Sequence, residues 1–218
     1  MNSEILQAIW TTLLPSHVVV EVGGYSTTAK PGGASEQLAT TGMEESRRVE
    51  FLSGRLYARK ALIALGREPT EIPIAADRGP QWPEGLVGSI THTLGATGGW
   101  ATAVVTDVAT LSSLGVDLEC CENLDPRALE MVLTVRERAH LMTTPPALRV
   151  REAGWIWCAK EAALKAARGT AELSEVEIVF LNSGDQFCAS RRSEQFEDWI
   201  FEGRLAYHDG YALAAAYR

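Results

Sequence analysis

Between Glu44 and Leu65 apolar residues recur at helical spacing. Val49, Leu52, Leu56 and Ile63 make the expected apolar side, and Gly66 follows as a stop. The stretch before it, residues 21–43, is rich in Gly, Ser and Thr and reads as a loop turning at Pro31-Gly32-Gly33. The proline-dotted stretch 67–85 reads as extended coil. Short β-branched runs follow at 86–91 and 100–106, joined through a Gly-rich connection at 95–99. Residues 114–119 alternate apolar and polar, which predicts another strand. Asp125-Pro126 supplies an N-cap and first-turn proline for a helix running to about Leu141, and Pro145-Pro146 breaks the pattern. A second long helix is expected over 151–168, stopped by Gly169. The last strands fall at 175–181, 186–190, 199–207 and 211–217, the final two joined by the hairpin pair Asp209-Gly210.

Strands mixed with two long helices predict an α+β fold. A weak internal echo links Ser53–Ala61 with Cys158–Ala166, both ending Lys-Ala, and Gly99–Ala103 with Gly210–Ala214. Two half-domains of similar build, over positions 1–110 and 111–218, would produce it.

Composition narrows the functional classes. The chain has 218 residues and a net charge of −8, with 46% hydrophobic and 22% charged residues. That is ordinary for a globular protein, and the acidic balance argues against a nucleic-acid binder. No apolar run approaches the roughly 18–20 residues of a membrane span. The first residues lack the basic start of a signal peptide, and Cys120, Cys121, Cys158 and Cys188 have no metal-ligand spacing. Free thiols in a reducing cytoplasm are therefore expected. Against this background the crowding of Arg47, Arg48, Arg55, Arg59 and Lys60 in one segment needs a reason.

Four clusters carry candidate chemistry. In Gly115-Val-Asp-Leu-Glu119, strand alternation puts Asp117 and Glu119 on one face, about 7 Å apart, where carboxylates can converge on a hard cation. In Trp157-Cys-Ala-Lys-Glu-Ala-Ala-Leu-Lys165, Trp157, Glu161 and Lys165 share one helical stripe. Glu161 could be a third carboxylate and Lys165 a charge for phosphate. Arg48, Arg55 and Arg59 fall within roughly 20° of one line on their helix. Gly54 beside them costs about 1 kcal/mol relative to alanine, which makes sense if something packs closely there. Finally, Gly88-Ser-Ile-Thr-His-Thr93 sets hydroxyls and His92 at a strand end. Singly, each also reads as a solvated face, a helix-pairing Glu-Lys or an ordinary polar residue. Together they describe a site for a polyphosphate substrate.

In order and spacing these blocks resemble the phosphopantetheinyl transferases. The resemblance rests on Gly115-Val-Asp-Leu-Glu119 and Trp157-x-x-Lys-Glu-x-x-x-Lys165. Upstream, Arg48-x-Glu-Phe-x-x-Gly-Arg55, Gly79-Pro-x-Trp-Pro-x-Gly85 and Gly88-Ser-Ile-Thr-His92 resemble the branch of the enterobactin- and surfactin-associated enzymes (Sfp type). The match runs from about residue 44 to residue 168.

The resemblance implies two α+β halves related by a pseudo-two-fold axis, with the active site between them. The half at 1–110 would take the adenosine 3′-phosphate end of coenzyme A, and the half at 111–218 the magnesium and catalytic helix. Asp117, Glu119 and Glu161 would bind magnesium. Thr91, His92, Lys160 and Lys165 would lie near phosphates, and Arg48, Arg55 and Arg78 near the adenosine 3′-phosphate; many relatives have Lys at Arg78. Catalysis would fall to Asp117, Glu161 and Lys165, with Glu161, or a metal-bound water that it orients, accepting the serine proton. The implied partners are coenzyme A and an apo acyl or peptidyl carrier protein, with a monomer expected. A non-catalytic phosphate-binding module and a metal-dependent phosphohydrolase use similar charges, but neither accounts for the order of the five blocks.

Overall fold

Alanine, glycine and β-branched residues recur at the strand positions packed against the helices, and they set how closely the helices approach. The computed structural model describes residues 1–96, 98–169, 171–181, 184–191 and 199–218. The chain divides into two compact units, Met1–Ser113 and Leu114–Arg218.

The first unit begins with α1 (Ser3–Leu13), whose Asn2 cap accepts a hydrogen bond from Ile5 N. There follow β1 (Val19–Gly24), α2 (Ala34–Ala39), α3 (Glu45–Ala64), β2 (Leu86–Gly95) and β3 (Gly98–Asp107). The strands form an antiparallel sheet in the order β1-β3-β2. Helix α3 packs Tyr57, Ala58, Ala61 and Leu62 against Ala101, Ala103 and Val105. Two expectations are corrected here. The stretch 21–43 is not all loop, because it holds most of β1 and all of α2. The apolar side of α3 is also displaced: Phe51, Leu52, Tyr57, Ala58, Ala61 and Leu62 are buried, whereas Ile63 is 57% exposed. The expected close packing at Gly54 is present, since a Cβ there would stand 2.8 Å from Ile90 Cγ2 on β2.

The second unit contains β4 (Leu114–Cys120), α4 (Pro126–Val132), α5 (Val135–Thr143), α6 (Pro146–Ala166), β5 (Val176–Phe180), β6 (Gln186–Arg191), β7 (Ile200–His208) and β8 (Tyr211–Tyr217). Its antiparallel sheet runs β4-β8-β7-β6-β5. The helix expected from Asp125 to Leu141 is two helices. Thr134 interrupts it by capping α5, its side chain accepting from Glu137 N while the Glu137 carboxylate accepts from Thr134 N. The break expected at Pro145-Pro146 falls between α5 and α6, and Pro146 opens α6, as its missing N–H costs nothing in a first turn. At the β7–β8 turn Asp209 and Gly210 both take positive φ, 51° and 81°, the geometry a tight hairpin requires.

The core of this unit is α6 on the sheet, with Ala159, Ala162, Ala163 and Ala166 meeting Ala212, Ala214 and Ala216 around Phe187 and Phe201. Small side chains on both surfaces let the backbones draw near. The closest approach is at Gly115, where a Cβ would stand 2.0 Å from Ala162 O and 2.6 Å from Ala166 N. Both units thus share one plan of strand, helix and hairpin, with the leading strand paired to the last. No helix among the described residues is long and apolar enough to cross a membrane.

Candidate active site

Because Gly115 turns toward α6, strand alternation turns Asp117 and Glu119 the same way. Their partners on β8, Ala214 and Ala212, are too small to block them. Asp117 is only 5% exposed, so it is not on a solvated acidic face. Its carboxylate Oδ1 lies 2.6 Å from Lys165 Nζ, which also donates to Val116 O at 3.2 Å. Glu161 stands one helical turn before Lys165.

The electrostatics tie these three together. Burial raises the Glu161 carboxyl above its ordinary value, the Asp117 charge raises it further, and Lys165 offsets part of this. Burial works to lower the Lys165 ammonium, but Asp117 and Glu161 outweigh it and hold it above the ordinary lysine range. A half-buried carboxyl raised in this way beside a charged lysine is an arrangement suited to chemistry next to a phosphoryl group.

Asp117, Glu119 and Glu161 offer hard oxygen donors, the chemistry that suits magnesium. Among the described residues, however, no three His, Cys, Asp or Glu stand together closely enough to hold a metal. The Asp117 carboxylate is engaged by Lys165 instead. The cysteines are free thiols; burial pushes Cys121 up to about 12 and Cys158 well above its ordinary value.

Lys160 requires a correction. It was expected near phosphates, yet it is fully buried. Its ammonium lies 2.9 Å from Glu137 Oε2 and donates to the carbonyls of Val132, Leu173 and Val176. An ammonium so enclosed does not reach a ligand.

In the first unit the arginines are not a solvated stripe. Arg55 is 7% exposed, lies over the Phe51 ring at 4.3 Å, and donates from Nε to Ile72 O at 2.9 Å. Burial lowers its guanidinium to about 10, Glu36 opposing and Arg59 and Arg47 adding to the fall. Arg59 is paired 2.8 Å from the fully buried Glu36, which also accepts from Gly32 N and Ile72 N. Arg48 is exposed and paired with Glu45 at the start of α3. Arg78 takes φ 68° in the turn after Asp77, its N–H donating to Ala75 O.

His92 lies on the α3 side of β2, its Nδ1 2.7 Å from Glu50 Oε1. Burial alone would raise the Glu50 carboxyl, but His92 and then Arg47 outweigh it and hold it below the usual range. Thr91 is the second correction. The pleat sends it to the opposite face, where it is buried opposite Thr102, the residue that accepts the Trp10 indole N–H. Its side chain therefore does not share the strand face of His92. The residues missed by sequence reasoning are acidic: Glu36, Glu50 and Glu137, each holding one of the basic groups. Of these, Glu137 had the Thr134-x-x-Glu137 capping pattern and Glu50 stood within the Arg48-x-Glu-Phe block, whereas Glu36 had no local signal.

Comparisons with known proteins cover most of the chain. The model of the 4′-phosphopantetheinyl transferase N-terminal domain matches residues 35–106, and that of the 4′-phosphopantetheinyl transferase superfamily matches residues 113–216. The 4′-phosphopantetheinyl transferase Npt of Nocardia iowensis is 36% identical over 156 residues, 71% of this chain and 67% of that protein. The 4′-phosphopantetheinyl transferase PptT of Mycobacterium tuberculosis is 40% identical over 124 residues, 55% of this chain and 51% of that one. The match thus spans about two thirds of the first relative and half of the second. A solved Thermotoga maritima holo-[acyl-carrier-protein] synthase aligns with a TM-score of 0.41 at 20% identity, covering 49% of this chain and 62% of that chain.

Proposed function

Because the chain belongs to the 4′-phosphopantetheinyl transferase superfamily, we propose that it moves the phosphopantetheine arm of coenzyme A onto a serine of an apo acyl or peptidyl carrier protein. The observation that carries this reading is the Lys165–Asp117 pair with Glu161 one turn away, drawn together where Gly115 admits the α6 backbone. The upstream blocks from Arg48 to His92 favour the Sfp-type branch.

The first unit takes the adenosine 3′-phosphate end. Arg55 is already desolvated and held by Ile72 and Phe51, so it meets a phosphate with little further ordering. Arg48 and Arg78 add charge, and His92, fixed by Glu50, supplies an imidazole. Thr91 and Lys160 are left out of this set. The common strand–helix–hairpin plan of the two units supports a pseudo-two-fold origin.

In the second unit Asp117, Glu119 and Glu161 are the hard oxygen donors whose chemistry would suit magnesium, although as placed they do not stand together closely enough to hold it and Asp117 is paired with Lys165. When bound, that ion neutralises charge on the pyrophosphate oxygens. Lys165 places a positive charge where negative charge develops during transfer. Glu161, or a water that it orients, takes the proton from the serine hydroxyl, its carboxylate standing one turn from the Lys165–Asp117 pair. The serine oxygen bonds to the phosphorus bearing pantetheine, the bond from that phosphorus to the nucleotide oxygen breaks, and adenosine 3′,5′-bisphosphate leaves. Free thiols match a reducing cytoplasm, and two similar units in one chain suit a monomer.

Incubation with coenzyme A, magnesium and an apo carrier, followed by intact mass of the carrier, tests the reading. A gain of one phosphopantetheine group is expected. Hydrolysis of coenzyme A with the carrier unchanged would identify a phosphohydrolase, and binding without turnover a non-catalytic module.

A further inference from the structure

Lys160 stands immediately before Glu161, yet its side chain leaves the helix about 140° away from Lys165. It is 0% exposed, and four oxygens surround its ammonium: Glu137 Oε2 at 2.9 Å, Val132 O at 2.8 Å, Leu173 O at 3.1 Å and Val176 O at 2.5 Å. Glu137, itself 3% exposed, is as fully used. Its Oε2 also accepts from Thr134 N at 2.8 Å and its Oε1 from Ile178 N at 2.9 Å. One ion pair therefore joins the end of α4, the cap of α5, the middle of α6, the turn before β5 and β5 itself.

We infer that the Glu137–Lys160 pair is a positioning device for the reaction, fixing the rotation of α6 so that Glu161 and Lys165 face Asp117. On one side α6 is gripped by Gly115, where any outward turn is limited by backbone contact with Ala162 and Ala166. On the other it is gripped by the buried ammonium, whose hydrogen bonds are directional and would be lost by rotation of the helix. Hydrophobic contact between alanines gives neither restraint, since small smooth side chains tolerate sliding. A buried charge pair is weak evidence for stability, but here a rotation of α6 would carry the Lys160 ammonium away from Glu137 and leave both charges unpaired. Lys160 thus acts through its neighbours, and does not touch the substrate. This inference rests on the transfer reading for its catalytic consequence, though not for its structural half.

The test uses the full chain with Lys160→Met, Glu137→Gln and the double substitution. Coenzyme A affinity is measured by calorimetry, and turnover on an apo carrier is expressed per coenzyme A-binding site, so that an unfolded fraction does not count. Hydrogen exchange is followed over residues 135–143 and 160–166. Each single substitution should lower kcat about tenfold or more while coenzyme A affinity stays within about threefold. The double variant should be no worse than the poorer single one, because both remove the same device. Amide protection should fall together in both segments. Should a single variant fail to fold, the double variant, which leaves no lone buried charge, carries the same measurements. Loss of coenzyme A affinity in Lys160→Met but not in Glu137→Gln would make Lys160 a phosphate ligand and overturn the inference. So would normal turnover in either single variant, or loss of protection confined to one segment. A wild-type chain that modifies no carrier would sink the transfer reading, while the exchange measurement would still decide whether the pair holds α6.

Discussion

Replacing Gly115 with alanine adds one methyl group, yet it should disturb both the stability and the site. The new Cβ would stand 2.0 Å from Ala162 O and 2.6 Å from Ala166 N, the first about 1 Å inside the nearest approach that Cβ atoms make. Both obstacles are backbone atoms of α6, so no rotamer change relieves them, and strand and helix must part. Overpacking of this kind costs about 1–3 kcal/mol, and with backbone on both sides the upper end is expected. For a chain of this length about 3 kcal/mol lowers Tm by roughly 6–12 °C. The same parting stretches the 2.6 Å contact between Lys165 and Asp117, two residues along β4. Carrier modification should therefore fall about tenfold or more even well below the new Tm, as expected when reacting groups are misplaced by about 1 Å. Gly24→Ala is the control, since a Cβ there meets only Gly99 O at 3.8 Å, an ordinary contact. The assay is a thermal melt alongside single-turnover modification of the carrier. If Gly115→Ala melts and transfers like Gly24→Ala, the close approach of β4 and α6 does not build the site.

Two further outcomes concern the first unit. Arg55→Ala should weaken coenzyme A by tenfold or more, about 1.4 kcal/mol, while changing dephospho-coenzyme A far less; equal losses by calorimetry would remove Arg55 from the 3′-phosphate site. Glu50 has a folded pKa held below its ordinary 4.5, so its ionised form contributes stability above that value and loses it as pH falls through the folded pKa. Denaturant melts of wild type and Glu50→Gln should therefore differ at about pH 6 and converge below the ordinary carboxylate range, whereas a gap that widens in acid would contradict the assignment.

Local signals made much of this legible. Helices α3 and α6, the Asp209-Gly210 hairpin and the Asp117, Glu161 and Lys165 set all rest on short-range periodicity, caps and motif spacing. Strand β1 was missed because its partner β3 lies some eighty residues on, and its own Gly-ending run resembles a loop. Helix α2 was missed because a buried charge, Glu36, holds it through contacts with residues 59 and 72. The apolar side of α3 was misjudged because Arg55 lies among its buried residues, where a polar letter reads as surface. Lys160 and Thr91 are different, for elementary geometry already turned their side chains away from Lys165 and His92. Five residues on a helix turn Lys160 about 140° from Lys165, and adjacent strand residues face opposite ways. Which basic groups remain for a ligand depended on acidic partners distant in sequence, and no spacing rule could supply those.

Glu161 is proposed to do chemistry as well as binding. Glu161→Gln keeps the shape and hydrogen-bonding capacity of the side chain but removes its charge and its basicity. Calorimetry with coenzyme A, paired with single-turnover modification of an apo carrier followed by intact mass, separates the two roles. Coenzyme A should bind within about tenfold of wild type, at most about 1.4 kcal/mol, because the arginine, histidine and lysine contacts remain. Transfer should fall about a hundredfold or more, as when a general base or charge-stabilising group is lost. A variant that modifies the carrier at close to the wild-type rate would reduce Glu161 to a helix-pairing partner of Lys165 and contradict the proposed mechanism.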